Sequence, residues 1–70
     1  MDLRPGFTKI VRAARAAHTI ALGNPSVAEA TVATPYAIAV TGKSIGTTNM
    51  VLLDEAGTEI SETTIQVAEE

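Results

Sequence analysis

The sequence predicts an all-β fold, a small open β-sandwich of loosely immunoglobulin-like form with about six short strands. Three observations carry this. Turn-forming residues punctuate the chain at Pro5-Gly6, Gly23-Asn24-Pro25, Thr34-Pro35, Gly42-Lys43-Ser44, Gly46 and Glu55-Ala56-Gly57, a spacing of about 8–12 residues that suits a small all-β domain. The segments between these turns alternate in character and are rich in Val, Ile and Thr, whose stiff side chains pack well on a pleated surface. Apolar residues make up 46% of the 70-residue chain and charged residues 19%, which excludes a disordered tail and leaves room for one domain.

Taken in order, Phe7 to Ala13 reads as a first strand. His18 to Leu22 sends His18, Ile20 and Leu22 to one side. Glu29 to Ala33 sets Ala30 and Val32 against Glu29, Thr31 and Ala33, and Ala37 to Thr41 sets Ile38 and Val40 against Ala37, Ala39 and Thr41. Thr47 to Asp54 is the longest, with Met50 and Leu52 on one face and Val51 and Leu53 on the other. A strand apolar on both faces sits centrally or meets a partner. Thr63 to Val67 closes the set with Thr63, Ile65 and Val67 aligned. Two stretches admit a second reading. Ile10 to Ala21 is rich in Ala and Arg and is helical by propensity, but its apolar positions form no clean helical stripe, which favours strand, bend, strand. Residues 25–29 allow one helical turn, since Asn24 can cap it and Pro25 suits its first position.

Size and charge narrow the function. A chain this short hides only about 60% of its unfolded surface, and with no Cys it has neither a disulfide staple nor a thiolate metal site. Dense packing, a partner domain or self-association must support it. The net charge of −3 argues against general nucleic-acid binding, which needs clustered cations. The charge is unevenly spread. Residues 1–35 carry Arg4, Lys9, Arg12 and Arg15 against Asp2 and Glu29, whereas residues 36–70 carry Lys43 against Asp54, Glu55, Glu59, Glu62, Glu69 and Glu70. Such a dipolar chain can steer head-to-tail packing or a charged partner. No apolar run approaches the roughly 18–20 residues of a helical membrane span. The opening MDLRPGFTK lacks the pattern of a signal peptide, so the expectation is a cytosolic chain or one that begins after an export signal.

Reactive groupings are sparse. Gly42-Lys43-Ser44 invites a phosphate-loop reading, but the position five before Gly42 is Ala37 and a β-rich run follows, where a phosphate loop needs Gly and then a helix. A turn is the better reading. His18 is the one imidazole and alone builds no metal site, and no strained elbow surrounds any Ser. Asp54, Glu55, Glu59 and Glu62 cluster near the Ala56-Gly57 turn without the spacing of a calcium loop, so they read as a solvated hairpin end. Arg4, Lys9, Arg12 and Arg15 form a loose basic stretch without one strand parity, suited to rim salt bridges of at most about 1 kcal/mol each. The expectation is no catalytic residue, no metal ligand and no cofactor.

The order of the pieces is more distinctive than any one of them. Gly23-Asn24-Pro25-Ser26-Val27-Ala28-Glu29 precedes Gly42-Lys43-Ser44-Ile45-Gly46-Thr47-Thr48, and Asp54-Glu55-Ala56-Gly57 follows. This resembles the amino-terminal pilus-formation domain of secretin-type proteins in tight-adherence (Flp) pilus assembly and type II–III secretion, whose pattern reads GNPxVAD, GKxxGTT and DxxG. Gly23, Asn24, Pro25, Val27, Ala28, Gly42, Lys43, Gly46, Thr47, Thr48, Asp54 and Gly57 match it. Glu29 stands where the family often has Asp, and Ala replaces the family's usual Pro in the first basic segment. The resemblance spans about residues 7–67 and implies residues 1–6 as an extension and 68–70 as a tail. It implies a non-catalytic structural and interaction module of the periplasm, associated with the outer membrane. Its partners would be secretin or other pilus-assembly proteins or copies of itself, with no nucleic acid and no membrane insertion. The matching positions read as fold-forming rather than ligand-binding. The alternative is an adhesin-like, cell-surface or cell-wall ligand-binding domain of the same fold.

Overall fold

A computed structural model describes residues 1–69. Seven strands form: β1 (Asp2–Leu3), β2 (Thr8–Arg12), β3 (Thr19–Leu22), β4 (Ala28–Thr34), β5 (Ala37–Gly42), β6 (Gly46–Leu53) and β7 (Glu59–Val67). They make a four-stranded sheet in the order β1-β7-β6-β3 and a three-stranded sheet in the order β2-β5-β4. The pairings β2-β5-β4 and β3-β6-β7 match the B-E-D and C-F-G groups of an immunoglobulin sandwich. The first strand leaves the B-E-D side and pairs in parallel with β7.

The alternation read from the sequence decides which side chains fill the space between the sheets. Ile38 and Val40 of β5, Met50 and Leu52 of β6, and Ile65 and Val67 of β7 are fully or almost fully buried. Leu3, Ala17, Val27 and Ala28 complete the core. At roughly 25 cal/mol per Å² of apolar surface removed from water, these aliphatic side chains are the main favourable contribution in a chain whose Phe7 and Tyr36 both stay exposed. β6 lies between β7 and β3, the central position that its two apolar faces require. Its outer residues Val51 and Leu53 remain half-buried.

Residues 10–21 are strand, bend and strand, as the sequence favours, because Ile10 to Arg12 pair with β5 and Thr19 to Leu22 pair with β6. The structure departs from the sequence reading in three places. The turn at Asn24 is a single β-turn and not a helical turn through residue 29. The Val27 N–H donates to the Asn24 carbonyl at 3.1 Å, and Ala28 already pairs with Gly42 as the first residue of β4. The last strand begins at Glu59 instead of Thr63, with a bulge opposite Leu52 and Leu53. Glu59 and Glu62 therefore stand on β7 and not at the hairpin end. Finally, Asp2 and Leu3 within the expected amino-terminal extension form a strand on the β7 edge, and Leu3 enters the core.

Candidate interaction surface

Ten of the twelve motif residues gather at one end of the sandwich, where the segment after β3 meets the β5–β6 turn. The Val27 carbonyl accepts both the Lys43 N–H at 2.8 Å and the Ser44 N–H at 3.2 Å. The Ser44 hydroxyl donates to the Ser26 carbonyl at 2.7 Å. The Asn24 N–H donates to the buried Thr48 hydroxyl oxygen at 2.7 Å, and the Gly23 N–H donates to the Asn49 carbonyl at 3.1 Å. Within the turn, the Asn24 side-chain oxygen accepts from the Ser26 N–H at 3.0 Å. Asn24 thus caps its own bend, the local preference that makes Asn-Pro a turn initiator.

Two glycines are required here by close approach. A Cβ on Gly42 would lie 2.8 Å from the Arg4 carbonyl oxygen, and one on Gly46 would lie 3.0 Å from a methyl of Val27. The Arg4-Pro5-Gly6-Phe7 turn is tied to the same place. The Gly6 N–H donates to the Gly42 carbonyl at 2.9 Å, and the Gly42 N–H donates to the Phe7 carbonyl at 3.0 Å. Pro5-Gly6 is legible as a turn in the sequence, but its docking on Gly42 is not. Val27 and Ala28 are buried, Pro25 and Lys43 are exposed, and Thr47, the second residue of β6, is exposed on its outer face.

The other two motif residues, Asp54 and Gly57, lie at the far end of β6. The Asp54 side-chain oxygen accepts from the N–H groups of Ala56 at 3.0 Å and Thr58 at 2.9 Å, and its carbonyl accepts from Gly57 at 2.9 Å. Arg15 reaches this turn, with one guanidinium nitrogen 4.0 Å from Asp54 and a bond of 3.3 Å to the Glu59 carbonyl. Arg15 is exposed and Asp54 half-buried, and a pair at this surface contributes at most about 1 kcal/mol.

What this arrangement can do chemically follows from where its polar groups point. The N–H groups of Lys43 and Ser44 are both taken up by the Val27 carbonyl, and strand β6 follows them. That geometry is a turn and not a phosphate cradle. His18 is exposed, with Nδ1 3.1 Å from the Thr19 hydroxyl. Among the described residues, no group of three or more His, Asp or Glu comes together to hold a metal ion.

The chain matches the family model described as pilus formation protein N terminal region over residues 1–68. It belongs to that family. No curated protein and no solved structure matches the chain at a significant level. Family membership ties this domain to pilus and secretion machinery of the cell envelope as a structural module. The matched span takes in β1 as well as the motif-bearing end.

Proposed function

We propose that this pilus-formation domain is a non-catalytic building block that packs against secretin-type ring components in the periplasm, beside the outer membrane. One observation supports this reading above the others. The backbone and hydroxyl groups of the motif turns bond to one another across the sandwich end, so the motif serves architecture. The twelve motif residues are proposed to hold the fold while other surfaces make the contact. Three-stranded sheet edges and the exposed Phe7, Ile10, Tyr36 and Ile45 are surfaces suited to protein association. Residues 7–67, with β1 laid on their edge, are proposed as the unit that docks.

Sedimentation velocity of the domain, alone and mixed with the secretin of the same pilus system, tests the proposal. A faster boundary containing both proteins is the expected result. A domain that sediments independently of secretin at every ratio, yet is captured by peptidoglycan or a glycan array, would replace the proposal with the ligand-binding reading.

A further inference from the structure

We propose that the free edge of β2 and the groove beside it form a docking site for an acidic, extended segment of a partner polypeptide, added to the sheet as a strand. The inference rests on the protein-packing reading above and names the surface that does the packing.

The backbone supplies the first part of the argument. β2 is an edge strand whose one sheet neighbour among the described residues is β5. The Gly42 N–H donates to the Phe7 carbonyl and the Ala13 N–H donates to the Tyr36 carbonyl, both at 3.0 Å. Hydrogen-bonded and non-hydrogen-bonded pairs alternate along an antiparallel ladder, so residues 9 and 11 also bond to β5. The N–H and C=O groups of Thr8, Ile10 and Arg12 then point away from the sheet. That row is a template for an added strand.

The side chains choose the strand. Residues 3–28 contain no Asp or Glu, while Arg4, Lys9 and Arg12 fall on or beside this edge. Between β2 and the β1–β7 edge lies a groove of about 530 Å³ whose lining includes Leu3, Arg4, Phe7, Lys9 and Gln66, with Asp2 as the one acid among the described residues that line it. Lys9 pairs across from buried Val40, so its side chain stands on the inner face and lines the groove. The Arg4 guanidinium lies 4.7 Å from the centre of the Phe7 ring, which holds a cation and an exposed apolar surface together. A Lys turned inward on an edge strand also deters pairing between identical copies, because two such edges would set cation against cation. An acidic strand meets no such barrier, so one charge pattern excludes the wrong partner and admits the right one.

The test uses the intact domain and two blocked octapeptides, (Glu-Val)4 and (Lys-Val)4, followed by amide chemical shifts. (Glu-Val)4 is expected to move the Thr8, Ile10 and Arg12 amides and to bind at least about tenfold more tightly than (Lys-Val)4. Raising ionic strength should weaken it. Ile10→Pro removes an outward N–H that β5 does not use, a place where an edge strand tolerates proline. It should reduce binding about tenfold or more while the remaining spectrum keeps its dispersion. Lys9→Gln, at an exposed side chain, should weaken binding with the fold intact and serves if Ile10→Pro unfolds. Equal binding of the two peptides, or shifts confined to other strands, would overturn the proposal. So would a dimer of this domain that Ile10→Pro abolishes, since the edge would then belong to a second copy. Peptide indifference beside an intact secretin complex in sedimentation overturns the groove alone; loss of both overturns the packing reading too.

Discussion

Replacing Thr48 by Val keeps the shape of a buried side chain and removes a single acceptor, the hydroxyl oxygen that receives the Asn24 N–H at 2.7 Å. That bond joins the last residue of the second motif, on β6, to the first residue of the Asn-Pro turn. An unpaired buried donor costs about 1–3 kcal/mol. Asn24 is exposed as a residue and this bond is partly buried, so the lower half of that range applies, about 1–2 kcal/mol. In a domain of 60–100 residues each kcal/mol moves Tm by about 4–8 °C, and the expected drop is roughly 4–16 °C. Thermal unfolding followed by circular dichroism reads the loss. Native-state amide exchange locates it, with Asn24 exchanging about 5–30 times faster in Thr48→Val. Thr48→Ser keeps the acceptor and should leave Asn24 protected. Unchanged Asn24 exchange in Thr48→Val, or equal exchange in the Val and Ser variants, would refute the idea that this bond couples the two motifs.

Gly42→Ala sets a methyl 2.8 Å from the Arg4 carbonyl oxygen, which bonded turns hold in place, so a loss of about 1–3 kcal/mol is expected by chemical denaturation. Asp54→Ala removes the acceptor of two turn N–H groups and should cost about 1–2 kcal/mol; Asp54→Asn, which can still accept, should recover most of it in the same assay. His18→Gln alters an exposed side chain bonded to Thr19 and should change stability by less than about 0.5 kcal/mol, with secretin binding in sedimentation unaltered.

Much of the fold could be read from alternation. Ile38 with Val40 and Met50 with Leu52 point to one face in the sequence, and all four are fully buried. β1 was not legible, since two residues carry no period and depend on the edge that β7 offers. The first half of β7 reads Glu-Ile-Ser-Glu, polar enough to pass for a hairpin end; its strand state comes from pairing with β6 across a bulge. Asn24-Pro25 opens a helix or a β-turn with the same local chemistry, and the pairing of Ala28 with Gly42 decides for the turn. Each motif could be recognised alone. Their union through Val27, Lys43 and Ser44 needs the folded sandwich. The β2 edge was visible only as scattered cations, because its strand parity hides that Lys9 and Arg4 border one groove.

The claim that this domain works by contact with the secretin is tested most directly in cells that assemble the pilus. A photo-reactive amino acid is placed singly at Phe7, Ile10, Tyr36 and Ile45, the large apolar positions already exposed, and irradiation follows. A covalent adduct with the secretin from at least Phe7 or Ile10, and none from a buried control at Leu52, is the predicted result. Assembled secretin rings without an adduct from any of the four positions would contradict it.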